Sequence, residues 1–138
     1  METQQESEQQ PELEPVRNNS RNEDFKIKNR VYDMILYAMP QLEQFPRAQR
    51  GLANDIRQTM YNILRFVIML ENKHYKKTTL GDLDTELDVL RHFIRLAAAP
   101  ELTQGKKACL PLRRYEIMSR KMDEIGRMIG GYYKSLKK

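Results

Sequence analysis

The chain has 138 residues, a formal net charge of +5 and one cysteine, Cys109. That suits a single domain with its own core, and it leaves no partner for a disulfide and no cysteine-rich metal site. The longest unbroken apolar run, residues 66–70, is far too short to span a bilayer, and no apolar leader follows the start, so no membrane and a reducing cytoplasm are expected.

Residues 1–24 come first in chain order. They hold seven acids against Arg17 and Arg21, a net of −5, and almost no apolar residues. Such a segment cannot repay its ordering entropy, so a disordered acidic tail is expected, followed by a domain over residues 25–138. That domain must carry +10, a charge that attracts polyanions, and the tail would compete with them for it.

The composition, rich in Leu, Met, Arg, Lys, Glu and Gln, favours helices. A first helix is expected over residues 25–45, with Val31, Ile35, Ala38, Leu42 and Phe45 as one apolar stripe and Pro40 as a kink. Pro46 suits the first turn of a second helix reaching residue 73, with a seam of Ala53, Ile56, Met60, Ile63, Val67 and Leu70. Thr79 reads as the N-cap of a third, with Asp82 completing a capping box and Asp84, Glu86 and Asp88 near the positive helix end. Its seam is Leu80, Leu83, Leu87, Leu90, Ile94 and Ala97, and Pro100 stops it. After a loop over residues 101–110, Pro111 opens a fourth helix, along which Tyr115, Met118, Met122, Ile125, Ile129, Tyr132 and Leu136 alternate steps of three and four. Four amphipathic helices with mostly short joints predict an all-α, up-down-up-down four-helix bundle.

The chemistry-bearing residue types do not converge in sequence. Glu71 and His74 have the Glu-x-x-His spacing of di-iron bundles, but only one copy exists where two are needed. His92 follows Asp88 by four residues, a surface pair at helical spacing. A helical nuclease pattern with arginine five residues before histidine fails, since Met69 and Leu87 occupy those positions. "GGYYKS" lacks both the glycine spacing and the ending of a phosphate loop. No catalytic residue, metal site or cofactor is therefore expected, and the chain reads as a non-enzyme.

Arginine placement carries more information. Arg113, Arg120, Arg127 and Lys134 recur every seven residues and fall opposite the fourth helix's seam. Arg50 and Arg57 are also seven apart on the second helix, with Arg65 eight further on, and Arg91 and Arg95 share a face of the third. These ridges of one sign are expected to bind nucleic acid, because phosphate contacts need only positive charge tracking a backbone. The fourth helix also holds three glycines within six positions, each costing roughly 1 kcal/mol relative to alanine. Gly126 and Gly130 lie on one face, where another helix, of the same bundle or of a neighbouring subunit, can approach closely.

"FPRAQRGLANDIRQ" after a proline-bearing helix, "LDVLRHFIRLAA" in the third helix and "YEIMSRKMDEIGRMIGGYYKSL" in the fourth resemble the accessory variability determinant (Avd) proteins of diversity-generating retroelements. The likeness spans residues 26–138, with Tyr132 where many relatives have Trp. It implies a basic, ring-like homopentamer in a bacterial or phage-encoded setting. It also implies binding of the retroelement's reverse transcriptase, of RNA and of cDNA, in support of mutagenic retrohoming. The family's Leu-Arg-x-x-x-Arg pattern, associated with polymerase binding, matches Arg91 and Arg95. An alternative is a structural RNA-binding bundle of the type encoded in ribosomal-RNA intervening sequences, which shares the fold but lacks the Gly-Arg-Met-Ile-Gly-Gly ending.

Overall fold

The computed structural model describes residues 19–72 and 75–136, with side chains from residue 25 onward. Among the described residues there are four α-helices and no strand: α1 (Asn19–Glu43), α2 (Arg50–Asn72), α3 (Lys76–Ala97) and α4 (Leu112–Leu136). Short 3₁₀ turns at Arg47–Gln49 and Pro100–Leu102 lead into α2 and out of α3. Each helix packs on two neighbours, α1 on α2 and α4, and α3 on α2 and α4, with no packing across the diagonals. The result is a square four-helix bundle.

Cross-helix pairs set the directions. Arg30 meets Glu124, Asp33 meets Lys121 and Gln41 meets Arg114, so rising numbers on α1 match falling numbers on α4. Asn62 of α2 bonds Glu86 of α3 at 2.9 Å, and Lys76 of α3 reaches back to the Leu70 carbonyl of α2 at 3.1 Å. At the far end of α3, Leu110 N–H closes the 98–111 connection on the Ala97 carbonyl at 2.9 Å. Neighbours run antiparallel, and the up-down-up-down order expected from the short joints is the one observed.

The apolar stripes meet in one core. All six seam residues of α2 and all six of α3 are buried, as are Met118, Met122, Ile125, Ile129 and Tyr132 of α4. Tyr115 and Leu136 pack against this core half-buried. On α1 the stripe is wider than expected, because Ile27 and Met34 are also fully buried. Tyr132 is wholly enclosed and its hydroxyl accepts from Lys76 Nζ at 3.2 Å, so a phenol is accommodated without an orphaned oxygen.

Several helix ends differ from expectation. α1 begins at Asn19, six residues before the expected start at Phe25, and residues 1–18 of the expected acidic tail lie outside the described residues. α1 is helical through Pro40 to Glu43, where the lost backbone donor strands only the carbonyl of Leu36, itself 70% exposed. α2 does not start at Pro46, since a 3₁₀ turn intervenes and Gln49 N–H bonds the Pro46 carbonyl at 2.8 Å. Thr79 is not an N-cap. It is buried in the second turn of α3, where its hydroxyl donates to the Tyr75 carbonyl at 3.0 Å, a bond that satisfies it inside a helix. The first turn of α3 therefore carries no acid, and Asp82 lies beyond the reach of the terminal dipole. No helix among the described residues is long and apolar enough to cross a membrane.

Candidate nucleic-acid and partner interface

The α4 heptad that buries Met118, Met122, Ile125 and Ile129 turns Arg113, Arg120, Arg127 and Lys134 the other way. All four are exposed, and none has a hydrogen bond or ion pair to a described residue. Two of the three acids on this helix are engaged elsewhere: Glu124 takes Arg30 of α1 at 2.7 Å, and Asp123 lies 3.7 Å from Arg91 of α3. The third, Glu116, is exposed and pairs with no described cation. Lys121, also on α4, faces inward by comparison, paired with Asp33 at 2.6 Å and set over the Tyr37 ring.

On α2, Arg50 and Arg65 are exposed, while Arg57 is half-buried and donates to Asn54 Oδ1 at 2.8 Å. An amide acceptor orients Arg57 without cancelling its charge.

The two α3 arginines share a groove of about 380 Å³ between α3 and α4, lined also by Asp88, His92, Tyr115 and Asp123. Arg95 is exposed on its rim. Arg91 lies across α4, its Nη2 donating to the Met122 carbonyl at 3.4 Å and 3.7 Å from Asp123 Oδ1. At these lengths both contacts are weak, and the carboxylate is 60% exposed, so they position the guanidinium more than they stabilise the fold. His92 is exposed beside Asp88, with Nδ1 2.9 Å from the Asp88 carbonyl, the surface pair expected from spacing. His74 and Lys73 lie outside the described residues.

The glycines of α4 are not used alike. A Cβ at Gly126 would stand 2.6 Å from Arg91 Nη2, so the bare backbone there is what admits the guanidinium. A Cβ at Gly130 or Gly131 would meet nothing within 4 Å. The close approach at Gly126 is thus made inside the chain, by a side chain of α3 and not by a helix backbone, and among the described residues nothing would contact a Cβ at Gly130.

Sequence reading missed the partners of Arg91. Asp123 and Gly126 sit more than thirty positions away, and no local pattern ties one helix face to another. It also missed the bundle end where the α1–α2 and α3–α4 connections meet. There Arg114 donates to Gln41 Oε1, and a cleft of about 980 Å³ opens between the two connections. Cys109 lies in its wall, buried, and burial pushes its thiol above the ordinary value of 9.0. Among the described residues no three His, Cys, Asp or Glu side chains gather as a metal ion would require.

Comparison with protein families matches residues 25–136 to the family model described as bAvd-like. A comparison with curated proteins returned no match.

Proposed function

The chain belongs to the bAvd-like family, and from that premise we propose that it is a non-enzymatic accessory protein of a diversity-generating retroelement, binding the element's reverse transcriptase together with its RNA and cDNA. The observation that carries this reading is the α4 row. Arg113, Arg120, Arg127 and Lys134 are exposed at heptad spacing and form no ion pair with a described carboxylate, with Glu116, itself unpaired among the described residues, one turn from Arg113 and Arg120. Charges left unbalanced in water are available to displace counterions from a phosphodiester strand, and Arg50, Arg57 and Arg65 of α2, the helix diagonal to α4, would offer a separate basic face.

The polymerase docks in this reading on the α3–α4 groove through Arg91 and Arg95. Its lining holds Asp88 and Asp123 beside the two arginines. A phosphodiester would be repelled by those carboxylates, whereas a folded protein can present charges of both signs. Assembly as a homopentameric ring would repeat each row five times around one axis, so that one strand engages several rows at high effective concentration. Gly130 is then available as a subunit contact. The protein makes and breaks no bond in this scheme. It raises the local concentration of template and product beside an enzyme that does the chemistry, in the cytoplasm.

The experiment is co-purification of the protein with the reverse transcriptase of its retroelement, for the native chain and for Arg91→Glu/Arg95→Glu. The double variant is expected to keep its helical circular dichroism and to lose the polymerase. Retention of the polymerase at native yield would place the docking surface elsewhere.

A further inference from the structure

The helix directions bring the C-terminal ends of α1 and α3 and the N-terminal ends of α2 and α4 to one end of the bundle. The connections and the first turns of α2 and α4 there carry Arg47, Arg50, Lys106, Lys107, Arg113 and Arg114, with Glu43, Glu101 and Glu116 as the nearby acids. All six cations are exposed, and none has an ion pair with a described residue. The electropositive N-terminal ends of α2 and α4 face the same way, and neither has an acid in its first turn. Between the connections lies the cleft of about 980 Å³, large for a small-molecule site. Lys107 and Arg114 line it, together with the amides of Gln41, Gln44, Gln49 and Gln104.

This end is organised in two ways that core packing does not require. Arg114 is held by the Gln41 side-chain oxygen, and Gln41 donates in turn to the Tyr37 carbonyl at 3.4 Å, so a neutral group aims a cation that keeps its full charge. In the α3–α4 connection the Thr103 hydroxyl donates to the Lys107 carbonyl at 2.9 Å and accepts from Lys107 N–H at 3.0 Å. That turn puts Lys106 at φ 57°, a left-handed conformation that a lysine adopts at a cost, although Gly105 stands beside it with no positive φ. The same turn fixes the next residue, Lys107, in the cleft wall.

We propose that this cleft binds single-stranded nucleic acid, Lys107 and Arg114 taking backbone phosphates while the amides of Gln44, Gln49 and Gln104 meet base edges. The proposal rests on the nucleic-acid part of the reading above and adds a site that the α4 row does not include. A single strand is favoured over a duplex because the cleft also has apolar walls, at Pro46, Leu102 and Pro111. Splayed bases can cover such walls, while a duplex offers its outside of phosphate and sugar.

The test measures binding of the full chain to a labelled RNA strand of about 12 nucleotides, within the site sizes usual for single-strand binders, and to a duplex of the same length. Two variants with equal loss of charge are compared, Lys107→Gln/Arg114→Gln at the cleft and Arg120→Gln/Arg127→Gln on the α4 row. The cleft variant is expected to lose single-strand affinity selectively and to flatten its logarithmic salt dependence by about 1.4, two contacts at about 0.7 each. The row variant is expected to weaken both probes alike. Lys106→Gly is a control outside the cleft lining that relieves the left-handed strain: the melting temperature should hold or rise and the ratio of single-strand to duplex affinity should stay native, and a selective loss of single-strand binding would overturn the assignment to Lys107 and Arg114. An unchanged ratio of single-strand to duplex affinity in the cleft variant overturns the cleft while leaving the row intact. Absence of binding to either probe by the native chain overturns both.

Discussion

Gly126 and Arg91 are best understood as one device. The glycine gives up helix propensity so that a guanidinium from α3 can lie over the α4 backbone, 3.4 Å from the Met122 carbonyl. The clashing atom, Arg91 Nη2, is the far end of a flexible side chain, so Gly126→Ala should displace the arginine and spare the bundle. The substitution gains about 0.5–1 kcal/mol of helix propensity and loses a long hydrogen bond to the Met122 carbonyl and a long, partly exposed ion contact. Gly126→Ala is therefore expected to raise stability in urea by roughly 0.5 kcal/mol while reducing co-purification with the polymerase. If stability and binding fell together, the glycine would be serving the core instead. Sequence alone marked Gly126 as a point of close approach, because few other roles justify a glycine in mid-helix. It did not identify what approaches, since nothing in the spacing of one helix encodes the rotamer of an arginine on another.

At the scale of single helices, the periodic signal carried most of the fold. Steps of three and four placed the buried apolar residues of α2 and α3 one for one, missing only the buried Thr59 and Thr79, because a stripe opposite charged positions can be buried in only one way. The ends were less legible. Thr79 stands three residues before an acid, as a cap would, yet its hydroxyl satisfies itself on the preceding turn and lets α3 begin at Lys76. The start of α3 is fixed by Lys76, which reaches the Leu70 carbonyl near the electronegative end of α2 and the Tyr132 hydroxyl in the core, contacts from outside its own helix. Ile27 and Met34 were passed over although they stand four before and three after Val31 on the same face, so that α1 buries the adjacent Met34 and Ile35 where the stripe counted one residue. α4 also leaves Gly130 with open space where a Cβ would stand, among the described residues. Gly130→Ala is expected to stabilise dilute protein by about 0.5–1 kcal/mol through helix propensity and to lower the assembled mass in light scattering. An unchanged mass would remove Gly130 from the subunit contact.

For the whole molecule, the distribution of charge matters more than its total. Carboxylates of α1 and α4 are drawn into cross-helix pairs, Arg30 with Glu124 and Lys121 with Asp33, and these hold two antiparallel helices in register at the surface. Such exposed pairs contribute little to stability individually. Their larger effect is to engage acids on the flanks of α4 and leave Glu116 as the one α4 carboxylate unpaired among the described residues, beside its outer row. That division was partly readable in sequence, where the heptad spacing of Arg113, Arg120, Arg127 and Lys134 against the seam fixed their direction. The cluster at the bundle end was not, because Arg47 and Lys107 come together only once two distant connections meet. The most direct measurement is the affinity of the native chain for RNA across a salt series, set against Arg113→Gln/Arg120→Gln/Arg127→Gln/Lys134→Gln. If the row grips phosphates, the logarithmic slope of the quadruple variant becomes shallower by about 2–3, at about 0.7 per lost contact, with circular dichroism unchanged. A slope equal to that of the native chain would contradict the assignment of the row to nucleic acid.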